Sequence, residues 1–118
     1  MLKKLPEEIR EAVKNIIAAE IEISYANPEK YNSYVDDSDD VTAVSASGRL
    51  MKGTQEVCGA TVAVSHGNVG EHGRFVDWIS CGYSGGLAYV VLKSGVNIDK
   101  EDGSSDNLCW IITLIMRE

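Results

Sequence analysis

The chain has 118 residues, a formal net charge of −7, 44% hydrophobic residues and 25% charged ones. That is the size and mix of one ordinary globular domain spanning 1–118, which excludes disordered, collagen-like and coiled-coil architectures. No apolar run approaches the roughly 18–20 residues of a membrane span, and an acidic chain without a Lys/Arg stripe suits neither nucleic acid nor an anionic membrane surface.

The opening MLKKLPEEIR has no apolar stretch after its lysines and does not read as a secretory signal. Residues 6–25 read as one amphipathic helix. Pro6 suits its first turn, Glu7 and Glu8 favour the positive end of the dipole, and Ile9, Val13, Ile16, Ile17 and Ile21 form one apolar stripe. Asn27-Pro28 ends that helix, and Asn27 is expected to cap a short second one running to about Tyr34. The acidic run Asp36-Asp37-Ser38-Asp39-Asp40 leads into a strand, VTAVSAS, and Gly48 turns the chain into another around Arg49 to Lys52. Between Thr54 and Ser65, propensity leaves helix and strand both open. His66 to Gly73 reads as a glycine-rich loop.

Phe75–Tyr83, Leu87–Val96 and Leu108–Arg117 then read as three strands, separated by turns at Ser84-Gly85-Gly86 and Asp102-Gly103. Helices first and an antiparallel meander afterwards make the class α+β. Alternation along the last strand puts Trp110, Ile112, Leu114 and Met116 on a wholly apolar face. The other face, with Ile111, Thr113, Ile115 and Arg117, is half apolar, which predicts a homodimer contact.

The order of these elements resembles the SnoaL-like branch of the nuclear-transport-factor-2-like superfamily. YVDDSDDVTAVSASGRLMKGTQEV is similar to that family's acidic pair, strand, glycine turn and helix. GGLAYVVLKSG resembles its recurring G-D-L-A-Y-V-V strand with Gly86 in place of Asp, and LCWIITLIMRE its penultimate strand. The resemblance implies a strongly curved sheet wrapped round the long helix as a cone with an apolar cavity. It also implies one further strand beyond Arg117, so the sheet is one strand short or completed by a partner. The family includes isomerases, cyclases, dehydratases, epoxide hydrolases and oligomerisation domains, so the fold does not fix the activity. Matching Asp39-Asp40-Val41-Thr42 to the isomerases' D-D-A-T puts Ser45 where they carry an aspartate base, and a serine cannot remove that proton unaided.

Candidate chemistry is sparse. Gly82-Tyr83-Ser84-Gly85-Gly86 matches G-x-S-x-G, yet a strand follows it and both histidines precede it, so it reads as a hairpin turn. His66, Glu71 and His72, with Cys58 or Cys81, lack the paired spacing of a metal site, and no metal is expected. The two acidic runs have no glycine at the sixth position of a calcium loop and read as solvated turns. Three cysteines, Cys58, Cys81 and Cys109, odd in number and far apart, indicate reduced thiols in a cytoplasmic protein. Trp78, Tyr83, Tyr89 and Trp110 lie on the three long strands, either as core and interface packing or, for Trp78, Tyr89 and Trp110, as walls of the cavity, and by the resemblance Ser45 and Ser47 face it too. Glu20, beside the helix stripe, reads as a snorkelling surface carboxylate; buried, it would be the best general acid or base in the chain. The expected function is binding of a small apolar molecule without a cofactor. Cofactor-independent isomerase, cyclase, dehydratase or epoxide-hydrolase chemistry, or a pure oligomerisation role, are the alternatives.

Overall fold

The computed structural model describes residues 2–39, 41–44 and 48–117. After a short 3-10 turn at Leu2–Lys4, the amphipathic stretch forms helix α1, Glu7–Ile23, with Pro6 just ahead of it. The helix closes before Pro28 requires it to. Ala26 takes a positive φ of 64°, and the Asn27 amide donates back to Glu22 O at 2.9 Å. Helix α2, Glu29–Asn32, follows Pro28 directly; Pro28, not Asn27, stands at its N-cap, with no side-chain cap bond.

Strands β1, Thr42–Val44, and β2, Leu50–Lys52, form a separate antiparallel pair. The ambiguous run becomes helix α3, Thr54–Ser65. Its start is fixed by contacts distant in sequence: the Thr54 hydroxyl donates to Asp36 O at 2.5 Å and accepts from the Ser38 amide at 2.8 Å. Only Val57 among its valines is buried; Val62 and Val64 stay exposed. The neighbouring chain, not the local apolar pattern, selects helix here.

Strands β3, Asn68–Ser84, β4, Leu87–Lys100, and β5, Ser105–Arg117, make one antiparallel sheet in the order β3-β4-β5. The β3–β4 turn carries Gly85 and Gly86 at φ 58° and 83°, a twist other residues rarely accept. The class is α+β, as the sequence indicates.

The stretch 66–73, expected as a loop, is instead the start of β3. Its glycines sit at irregularities within a paired strand, because register shifts fall between Asn68 and Gly70 and between His72 and Phe75. A third falls between Trp78 and Ser80. Each shift adds one residue to β3 and reverses the alternation of faces. Side chains three apart therefore point the same way: Asn68, Glu71, Arg74 and then, past Val76, Trp78 and Cys81.

The core forms where Leu5, Ile9 and Val13 meet Cys81, Ala88, Val90 and Leu92 on the concave face. Ile112, Leu114 and Met116 pack around it, as alternation along the last strand predicts. On the outer face two aromatic rings lie over glycines: Phe75 covers Gly95, and Tyr89 comes within 2.6 Å of where a Gly82 Cβ would stand. Among the described residues no helix is long and apolar enough to cross a membrane.

Candidate functional site

The stripe of α1 changes character along its length. Ile9, Val13 and Ile16 lead at spacings of four and three to Glu20, four further on, so the carboxylate lies on the apolar face and not beside it. Glu20 is buried. Opposite it stands Arg74, turned inward by the β3 irregularity at His72–Phe75. Its Nη1 donates to Glu20 Oε1 at 3.1 Å, and its Nε donates to Glu71 Oε2 at 2.6 Å. Glu71 and Arg74, three apart, would face opposite sides of a regular strand. The extra residue between them makes the contact possible.

The result is one guanidinium shared by two carboxylates. Burial holds the Glu20 carboxyl above its ordinary pKa of 4.5, against the opposing pull of Arg74, and the Glu71 charge adds to the rise. Burial disfavours the Arg74 cation, yet its bonds to Glu71 and Glu20 more than offset this and raise its pKa. Tyr31 on α2 is half-buried nearby. Burial first, then the Glu20 and Cys58 charges, raise its phenol pKa and keep it protonated. Asn32 Nδ2 donates to Cys58 O at 3.3 Å, tying α2 to α3. Asn68 Nδ2 donates to Ile23 O at 2.8 Å and closes the end of α1, while Lys100 Nζ donates to Asn68 Oδ1.

Several buried polar atoms at this end have no protein partner: Glu71 Oε1, Asn32 Oδ1 and Ser94 Oγ. Ser94 is 0% exposed and pairs across the sheet with Val76, the inner neighbour of Arg74. Such atoms are rare in folded proteins and mark places where a polar group from outside completes the set.

The residues expected to form the site divide between two surfaces. Trp78 and Trp110 lie on the concave face; Tyr89 lies on the outer face, 43% exposed. Ser45 and Ser47 lie outside the described residues. Two open depressions, of about 850 and 380 Å³, are lined by charged and polar side chains such as Asp37, Lys52 and Glu56 in the first and Lys100, Glu101 and Asp106 in the second. Neither is the enclosed apolar cavity expected from the sequence. Among the described residues no group of three or more His, Cys, Asp or Glu side chains is placed to hold a metal ion. Sequence reasoning missed Arg74 and Tyr31 and weighed Glu71 only as a metal ligand. The available signal was a charged pair three apart around Gly73, the pattern of an irregular strand; nothing local marks Tyr31.

No family model matches the sequence, and no curated protein matches it. Among solved structures, a candidate dehydratase of the NTF2-like family from Streptomyces avermitilis superposes with a TM-score of 0.72 at 15% identity, over 96% of this chain and 88% of that one. The fold is NTF2-like. A candidate SnoaL-like polyketide cyclase from Shewanella putrefaciens CN-32 superposes with a TM-score of 0.57 at 14% identity, over 96% of this chain and 80% of that one. In this fold the long helix and the sheet hold a charged cluster at one end and an apolar core at the other.

Proposed function

We propose that this NTF2-like domain binds a small molecule between the C-terminal half of α1, α2 and the concave face of the sheet. The polar end of the ligand meets Glu20, Arg74 and Glu71, and its apolar body lies toward Val76 and Trp110. The observation that carries this reading is the buried Glu20–Arg74–Glu71 cluster with Glu71 Oε1 left unpaired. Desolvating two carboxylates and a guanidinium is costly, and well-packed apolar residues stabilise a fold as well or better. A cluster kept at that cost fits a binding role. Native mass spectrometry of the purified protein tests it: the expected result is an adduct retained under gentle conditions and lost on denaturation. No adduct, together with no change in melting temperature across a library of small amphipathic compounds, overturns it.

A second reading adds catalysis to the same site. Glu20, with its raised pKa, would move a proton, and the protonated Tyr31 phenol would donate a hydrogen bond to the developing negative charge. No cofactor enters this scheme. With a substrate in hand, Glu20→Gln is expected to lower kcat by about 100-fold or more while KM changes little.

For the partner, we propose a second copy of the chain, docked on the outer sheet face. Phe75, Ile79, Leu87, Tyr89, Ile111 and Ile115 are all exposed there, Ile111 and Ile115 at 67% and 75%. Asp77 and Lys93 stand opposite one another in the register, so this face carries balanced charge on a chain of net −7. Light scattering is expected to give a dimer, and Ile111→Asp a monomer; a monomeric wild type removes the proposal. Three cysteines outside any disulfide support a reducing, cytoplasmic setting.

A further inference from the structure

The cluster also has a polarity that restricts what it binds. Two guanidinium nitrogens and two side-chain amides of the cluster are already engaged. Arg74 engages both carboxylates, Asn32 Nδ2 is held by Cys58 O, and Asn68 Nδ2 by Ile23 O. The buried charged and amide atoms of the cluster that have no partner are both acceptors, Glu71 Oε1 and Asn32 Oδ1. The Glu71 side chain is only 8% exposed, so its free oxygen cannot rely on bulk water for compensation. With both carboxylates ionised, the two outweigh the one guanidinium, and with Glu20 protonated the charges balance. An anionic head placed against Glu71 Oε1 would meet the acceptor oxygens of a carboxylate with no proton to offer them.

We infer that the ligand of this site presents a hydrogen-bond donor, a hydroxyl or an ammonium group, to Glu71 Oε1, and that it is preferred there over carboxylate- and phosphate-headed molecules. The inference rests on the binding reading above and goes further by naming the chemistry of the head. Tyr31 and Asn32 at that end of the cluster are half-buried, whereas the core residues at the opposite end are buried. The Ser94 hydroxyl, wholly buried on the adjoining inner position, can accept a second donor from a ligand that reaches further along the sheet.

Three probes with one tail test this: 1-hexanol, hexylammonium and hexanoate, each titrated into the ¹⁵N-labelled wild-type protein near neutral pH. The expected result is that hexanol, hexylammonium or both move the amide signals of Glu71, Arg74 and Asn32, with hexanoate at least tenfold weaker. Which of the two moves them separates a hydroxyl site from a cation site. Glu71→Gln is expected to weaken the preferred probe about tenfold, the loss of one charge-assisted bond. Hexanoate binding at the same amides as tightly as the other two would overturn the inference while leaving a small-molecule site in place. No response at those amides to any probe would overturn both. Hexylammonium binding that Glu71→Gln leaves unchanged would reduce the effect to general attraction by an acidic chain, and would also overturn the inference.

Discussion

Helix α1 meets the sheet in two different ways along its length. At its N-terminal end Ile9 and Val13, with Leu5 just ahead, press on Cys81, Ala88, Val90 and Leu92, and Val90 and Leu92 retain no exposed surface. Each such side chain contributes about 1.5–3 kcal/mol by leaving water, with no directional demand and no dependence on pH. At its C-terminal end the same stripe places Glu20 against Arg74, and Asn68 holds the last turn. There stability depends on matching each charge with a partner at the right distance. One end can tolerate substitution by similar apolar shapes; the other is sensitive to the loss of its cation above all, and it is the end where protons and ligands can act.

The sharpest way to break this contrast is Arg74→Met. It strands two buried carboxylates and is expected to cost about 3–5 kcal/mol at neutral pH in urea unfolding. The loss should shrink in acid, as Glu20 takes up a proton. Leu92→Ala at the apolar end is expected to cost about 2–5 kcal/mol, equally at pH 5 and pH 8. Equal pH dependence in the two variants would remove the distinction.

Glu20 gives a finer test. Its pKa lies above 4.5 in the folded protein, so the folded state keeps a proton that the unfolded chain releases. Stability from this group is fully present below pH 4.5 and declines as pH rises through the raised value. Glu20→Gln is expected to flatten that decline in a series of melting curves. The smallest effect should come from Asn68→Ala, which frees Ile23 O and costs about 0.5–1.5 kcal/mol, with hydrogen exchange increasing in the last turn of α1 and not in its first.

Much of this architecture was legible in the residues. The apolar period gave α1, Pro28 placed α2, and Gly85-Gly86 and Gly103 marked the sheet's turns where the chain reverses. Alternation in β5 assigned Ile112, Leu114 and Met116 to the core because that strand pairs without a shift. Alternation failed in β3 for the opposite reason. Its three extra residues reverse the faces, and whether a glycine marks a loop or an irregular strand depends on the partner strand that pairs with it. Glu20 shows the same divide. Its spacing from Ile9, Val13 and Ile16 already put it on the buried face, but a carboxylate there is tolerable only with a cation opposite. That cation comes from Arg74, 54 positions away.

Sequence by itself determined the class, the order of elements and the apolar face of the final strand, because these follow from periodicity and from turn residues that act locally. Only the tertiary structure decided that Thr54–Ser65 is helical, that Glu71 and Arg74 share a face, and that Glu20, Arg74 and Glu71 form one cluster. Those outcomes depend on burial and on charges brought together from distant parts of the chain, and a local pattern carries neither.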